Sequence, residues 1–379
     1  MYFDNAATTA RKPRELSEKY QEIFTKNYGN PSRGGHKNSV NAMMAINDSK
    51  KSLAKLFNTK ANNIAFTNNC SYGANYVIKS LVKENDHIIT STSEHNSILR
   101  PLYQSKASLS FLDFNNKLEL EYEKLEGLVK NNTRFLVINH ASNLLANIND
   151  LDRLSYFCKK HNLIMIVDIA QTAGNTPIDI SKYPNSIFLF TGHKSLYGPT
   201  GTGGIIINGD FDFSPVFSGG SGIKSFSKSH PSQFPTVFEV GTSNFISQIA
   251  LKSSIDFILD IGVENINKKL KNLTKKFFDG IKDNEKIKIY SKKPVGDYSA
   301  IVSLNIADIP SSEVSNMLDE EYNIQTRPGA HCAPLIHKHL KTEDQGLVRF
   351  SFSYFNEYDE IDRAIKIIIL NCEKKILKN

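Results

Sequence analysis

The stretch RFLVINHASNLLANINDLDRLSYFCKKHNLIMIVDIA, residues 134–170, contains two continuous apolar runs with a helix-like segment between them. RFLVINH (134–140) and LIMIVDIA (163–170) lack the alternation of a strand with one wet face, so each reads as a strand buried on both faces. LSYFCKK, around Cys158, has a helix-like context in which a small thiol packs. Strand, helix and strand in that order describe a parallel sheet covered by helices.

The same alternation extends outward in both directions. Residues 37–57 carry helical spacing (Val40, Met43, Met44, Ile46, Leu53, Leu56, Phe57), NIAFT at 63–67 reads as a strand, and a helix begins near Ser71. HIITS (87–91), SLSFLDF (108–114), SIFLFTG (186–192) and TGGIIING (202–209) supply further strands. The fold class is therefore α/β with a mainly parallel central sheet. Beyond about residue 260 the pattern changes to a Lys-rich helix over 263–281, a strand IVSLNI at 301–306, a helix SSEVSNMLDEEY at 311–322 with Ser–Ser at its cap, a strand VRFSFSYF at 348–355 and a last helix over 357–374. The expected division is a large α/β domain over 13–259 and a smaller α+β domain built from 1–12 and 260–379.

Composition narrows the function classes. The chain has 379 residues, 40% hydrophobic and 22% charged, ordinary for a globular protein. No apolar run approaches the ~18–20 residues that span a bilayer, and MYFDNAATTARKP at the start lacks the pattern of a secretory signal. The expectation is a cytoplasmic protein with no membrane partner. The formal charge of +7 comes with lysines scattered through stretches such as KKSLAK and NKKLKNLTKK, without a nucleic-acid-binding module, so no nucleic-acid partner is expected. The four cysteines show neither CxxC pairing nor metal-ligand spacing, and no metal site is expected. Cys372, like Cys158, sits in a helix-like context, whereas Cys332 lies in RPGAHCAP, a loop bounded by prolines with a histidine beside the thiol.

Chemistry-bearing residues collect just after the strand-like runs: Thr67, His95, Asn143, Asp168 and His193–Lys194. In open α/β sheets ligands bind at the carboxyl ends of strands. FLFTGHKSLYGPTGTGG (188–204) delivers Thr191, His193 and Lys194 into a turn rich in small residues (Gly198, Pro199, Gly201, Gly203, Gly204). Lys194 reads as a surface charge or, if sheltered, as an amine able to form a Schiff base. Asp168 reads as a helix cap or as a buried carboxylate paired with a cation such as a protonated pyridine nitrogen.

Taken together, these segments resemble the cysteine desulfurases of the class V aminotransferase group, which are pyridoxal 5'-phosphate (PLP) enzymes of fold type I. The resemblance begins at YFDNAATT (2–9) and continues through YGNPSRGGH (28–36), FTNNCSYGAN (66–75), SEHNS (93–97), NHASN (139–143), VDIAQTAG (167–174), TGHKSLYGPTGTG (191–203), FEVGTSN (238–244), RPGAHCAP (327–334) and VRFSFSYFN (348–356). It implies that Lys194 carries the cofactor as a Schiff base and moves the substrate Cα proton, and that Asp168 holds the pyridine nitrogen protonated. It implies that His95 stacks on the ring and exchanges protons near the substrate thiol, with Gln171 and Asn143 bonding the ring hydroxyl and the substrate region. Phosphate falls to Ser71, backbone N–H groups around Cys70–Ser71, Thr191 and His193, and to Thr242 from a second subunit, which implies a homodimer. Arg349 takes the role of substrate carboxylate clamp, Arg327 is a second candidate, and Asn30 matches a position near the substrate.

Cys332 separates the reactions open to this group. The RxGxHCA pattern resembles a subgroup that also includes selenocysteine lyases and whose members often hand sulfur to an acceptor protein. The implied activity is conversion of L-cysteine to L-alanine with a persulfide left on Cys332, and His331 and Arg327 nearby would favour its thiolate. The alternatives are a lyase for L-selenocysteine or cystine, a class V aminotransferase that needs no loop thiol, and a PLP-binding sensor or scaffold without turnover. The chain departs from the group's usual pattern in three places: Cys70-Ser71-Tyr72 stands where Ala-Thr-Glu is usual, LLANINDL follows Asn143, and Asn185-Ser186 replaces an acidic residue.

Overall fold

A computed structural model describes residues 1–31 and 34–374; Ser32 and Arg33 of the YGNPSRGGH segment lie outside the described residues. After α1 (Arg14–Thr25) and α2 (Lys37–Phe57) the chain enters the main sheet through β1 (Ile64–Thr67). It continues as α3 (Cys70–Leu81), β2 (His87–Ser91), α4 (Asn96–Gln104), β3 (Ser108–Leu112), β4 (Thr133–Asn139), α5 (Leu151–His161), β5 (Ile164–Asp168), β6 (Ser186–Thr191) and β7 (Gly203–Asn208). The seven strands lie in the order β1-β7-β6-β5-β4-β2-β3.

Strands β2 to β6 pair in parallel, and β7 runs antiparallel to both β6 and β1. Residues 192–202 between Thr191 and Gly203 contain no helix and return the chain as an antiparallel pair, without the helical crossover that joins most parallel pairs. Both faces of the central strands are buried, as their unbroken apolar runs require. Leu136, Ile138, Met165, Val167, Phe188 and Phe190 join one core with α2 and α5. The alternate residues Phe135, Val137, Ile166, Ile187 and Leu189 join a second core with α3 and α4. Period-two alternation within each strand thus feeds two layers rather than one layer and solvent.

Past the main sheet come α6 (Phe245–Ile261), α7 (Val263–Ile281), β8 (Ile287–Ile289), β9 (Ile301–Ile306), α8 (Ser311–Tyr322), α9 (Pro334–Leu340), β10 (Val348–Ser351) and α10 (Tyr358–Lys374). Helix α6 packs on α1 and α2, whereas α7 packs on α10 and β9. Between them Gly262 adopts φ 86°, a left-handed conformation that glycine takes without a Cβ clash. Strands β10, β9 and β8 form an antiparallel sheet in that order. The N-terminal residues join it, with Tyr2 bridged to Gln325 and Asp4 to Ser351.

Two local expectations need correction. Pro310, not a serine, occupies the N-cap of α8, and Ser311 Oγ instead accepts from the Gly329 N–H at 3.2 Å. Strand β10 ends at Ser351 rather than 355, because Ser353 N–H turns to Asn356 Oδ1 at 2.9 Å.

Candidate active site

A cavity of about 280 Å³ opens at the carboxyl ends of β4, β5 and β6. It brings together Cys70, Ser71, His95, Asn143, Asp168, Gln171, Thr191, His193, Lys194 and Arg327, residues spread over most of the chain. Thr191 is the last residue of β6, so Lys194 enters from the turn that follows it. That turn is held from outside by the first residues of the chain. The His193 carbonyl accepts from Thr9 N–H at 3.1 Å, Thr8 Oγ1 at 3.2 Å and Lys12 Nζ at 3.0 Å, and Thr9 Oγ1 also donates to the Lys194 carbonyl at 3.2 Å. The YFDNAATT segment therefore fixes the backbone that carries the lysine. Gly203 lets β7 pass the start of α3: a Cβ there would lie 2.6 Å from Asn69 Cα.

Asp168 closes β5 and is buried at 7% exposure. Burial raises its carboxyl pKa, opposed by the Ala170 N–H at 2.8 Å and by the charge of Lys194. Burial also lowers the Lys194 pKa; Asp168 works against that, while the Arg349 and Arg327 charges add to it. The free-amine form of Lys194 is thus more accessible than in an ordinary lysine, as a nucleophile or base requires.

At the start of α3, Asn69 caps the helix by accepting from Tyr72 N–H at 3.1 Å. Ser71 Oγ lies 2.6 Å from Ser97 Oγ, which in turn lies 2.9 Å from His95 Nδ1. Helix α3 presents its N-terminal dipole and these hydroxyls to the cavity, a setting suited to an anion. The Ser97 N–H donates to His95 Nδ1 at 3.0 Å, which puts the ring proton of the neutral imidazole on Nε2. Burial and the surrounding cations push the His95 pKa down to about 3, so the ring stays neutral. Next to it, Glu94 is fully buried, with Oε1 accepting from Ser91 Oγ at 2.6 Å and Asn139 N–H at 2.9 Å.

The loop carrying Cys332 is tied to this cavity at two successive residues. The His331 carbonyl accepts from Asn143 Nδ2 at 2.8 Å, and the Cys332 carbonyl accepts from Asn96 N–H at 2.8 Å, one residue past His95. His331 and Cys332 both adopt left-handed backbone, φ 52° and 56°. Such conformations are costly for non-glycine residues and persist only where surrounding contacts impose them.

A family model for class V aminotransferases matches residues 1–364. The chain is 31% identical to a probable cysteine desulfurase from Pyrococcus abyssi, over 97% of this chain and 93% of that one. The chain belongs to the cysteine desulfurase group of the class V aminotransferases. The solved cysteine desulfurase of Thermococcus onnurineus superposes with TM-score 0.91 at 29% identity, covering 99% of this chain and 95% of that one. A cysteine desulfurase structure from Escherichia coli, 24% identical, shares the fold with TM-score 0.83 over 100% of this chain and 94% of that one.

In this class V aminotransferase several expected site residues stand outside the cavity wall. Arg349 is no surface strand residue: it is fully buried, donating from Nη2 to Asp4 Oδ1 at 2.7 Å and from Nη1 to the Asn143 carbonyl at 3.2 Å. Burial lowers its pKa to about 10. Arg327 is the guanidinium on the wall. Asn30 donates to Thr242 Oγ1 at 3.1 Å, and neither residue borders the cavity within one chain. Cys332 is half-buried and is likewise not a wall residue. His331 supplies no charge to the thiol, because burial and the nearby guanidiniums keep it neutral, with Nε2 bonded to the Arg327 carbonyl at 3.0 Å. Sequence reading missed Asn69, Ser97 and Glu94; Ser97 was discoverable, since a serine two residues past His95 is placed for a local side-chain bond.

Proposed function

We propose that this chain is a PLP-dependent cysteine desulfurase that converts L-cysteine to L-alanine and leaves the sulfur as a persulfide on Cys332. The observation that carries the reading is the anchoring of the Cys332 loop, through Asn143 and Asn96, onto the cavity that holds Lys194. An aminotransferase has no use for a thiol on a loop anchored to its lysine-bearing cavity.

The cavity suits the cofactor on its own chemistry. A buried carboxylate, a lysine of lowered proton affinity and a helix start rich in hydroxyls match a pyridine nitrogen, an aldehyde and a phosphate. Two buried polar atoms at the wall, Asn143 Oδ1 and His193 Nδ1, have no partner among the described residues and so have bonding capacity for a ligand. Lys194 would hold the cofactor, Asp168 its ring nitrogen, and Ser71, Thr191, His193 and the first N–H groups of α3 its phosphate. When bound, the cofactor supplies an electron sink that acidifies the substrate Cα–H and weakens the bond to sulfur.

The chain's own residues do the rest. Lys194 removes and returns the Cα proton. His95, protonated at Nε2 and fixed by Ser97, faces the substrate side as a hydrogen-bond donor. Arg327, with Arg349 paired to it through the backbone, receives the substrate carboxylate. The Cys332 thiolate forms the new S–S bond as the substrate C–S bond breaks; the electron pair of that bond stays on the substrate Cβ, which takes up a proton to become the methyl group of alanine. A homodimer in which Thr242 of one subunit reaches the other's phosphate, transfer to an acceptor protein, a cytoplasmic setting and the division into residues 13–259 and 1–12 plus 260–379 belong to the same proposal. Cys332→Ser should abolish alanine release from L-cysteine while the Schiff-base absorbance persists; alanine formed at the wild-type rate would overturn the reading.

A further inference from the structure

Asp168 accepts its two hydrogen bonds on one oxygen. The Ala170 N–H reaches Oδ1 at 2.8 Å, and the Cys70 thiol reaches the same Oδ1 at 3.4 Å. Oδ2 accepts no hydrogen bond from a described residue, although the carboxylate borders the cavity. Cys70 is 6% exposed and opens α3. Burial and the neighbouring carboxylate push the Cys70 thiol pKa well up, so it remains an S–H donor. In the same wall Asn143, 6% exposed, holds an unpartnered Oδ1.

We propose that Cys70 is a positioning residue: its thiol, with the Ala170 N–H, occupies Asp168 Oδ1 and thereby sets the orientation and basicity of Oδ2 toward the cofactor's ring nitrogen. The inference rests on the cofactor reading above. A donor on Oδ1 draws charge from the carboxylate, so Oδ2 holds a ring proton less tightly. A less fully protonated ring withdraws less charge from the Schiff base on Lys194, which then keeps its own proton to higher pH. Removing the donor acts the other way. Thiols are weak donors and hydroxyls stronger ones, so alanine, cysteine and serine at position 70 form an ordered series.

The test is a pH titration of Schiff-base absorbance in wild-type, Cys70→Ala and Cys70→Ser holoenzymes. Alanine should move the midpoint down and serine up, each by about half a pH unit, the scale of one weak hydrogen bond to a charged group. The other ionisable groups bearing on Lys194, namely Asp168, Arg327 and Arg349, with neutral His95 across the cavity, are unchanged in all three proteins. A packing role would shift both smaller residues in one direction. Midpoints that coincide, or that move together, would overturn the proposal while leaving the cofactor reading intact. A wild-type protein without the band, or a band retained in Lys194→Ala, would overturn the cofactor reading and this inference with it.

Discussion

Replacing Glu94 by glutamine should stabilise the protein, and increasingly so as pH rises. Glu94 is 0% exposed; Oε1 accepts from Ser91 Oγ and from Asn139, while Oε2 is buried without a partner among the described residues. Burial outweighs those bonds and lifts the carboxyl pKa from 4.5 to about 8, with Asp168 adding to the rise. The native state therefore binds a proton that the unfolded chain releases between these two values. The stability this group contributes is complete below pH 4.5 and is lost as pH climbs toward 8. At ~1.36 kcal/mol per pH unit, the loss reaches about 3 kcal/mol at pH 7. Glutamine keeps the acceptor at Oε1 and replaces the buried O–H by an N–H of similar standing, without the titration. The assay is urea unfolding of both proteins from pH 5 to 8, followed by circular dichroism because the chain has no tryptophan. The gap between variant and wild type should widen across that range. A gap independent of pH would refute the buried, protonated carboxyl.

Asp4→Ala should destabilise the fold by about 3 kcal/mol in the same assay, since it leaves the buried Arg349 guanidinium with a single carbonyl partner; Asp4→Asn should recover part of the loss. His140, 5% exposed and bonded to Thr172 Oγ1, has its pKa lowered by burial to about 4. Its contribution to stability should fall away as pH drops from 6.5 toward 4, by up to about 3 kcal/mol, and His140→Gln should flatten that part of the stability–pH curve. Gly203→Ala should push the start of α3 away from β7 and speed cofactor loss, measured as the decay of Schiff-base absorbance on dilution.

Much of the main sheet was legible because β4, β5 and β6 each carry an unbroken apolar run, FLVI, IMIV and IFLF, bounded by polar residues. The antiparallel course of β7 was not legible, since a strand buried on both faces carries no mark of its direction. Helix α6 escaped notice for a related reason: Ser247, Gln248, Ile249, Ala250 and Leu251 are consecutive buried residues, so no polar face sets off an apolar one. Helix α1 was faint for the opposite reason, burying only Leu16 and Ile23. At the site, strand-end placement located Lys194, Asp168 and His95. It could not reveal that Arg349 meets Asp4, because the two lie 345 residues apart and nothing near either signals burial. Nor could it separate a residue on the cavity wall from one on a loop tied to it, the case of Cys332.

The central claim is that Cys332 takes sulfur from the substrate held at Lys194. Mass spectrometry of the holoenzyme after brief L-cysteine treatment, with peptide mapping, tests this most directly. One added sulfur atom on the peptide containing Cys332, absent from Cys70, Cys158 and Cys372 and absent in Lys194→Ala, is the result predicted. Alanine released with Cys332 unmodified throughout turnover would contradict it.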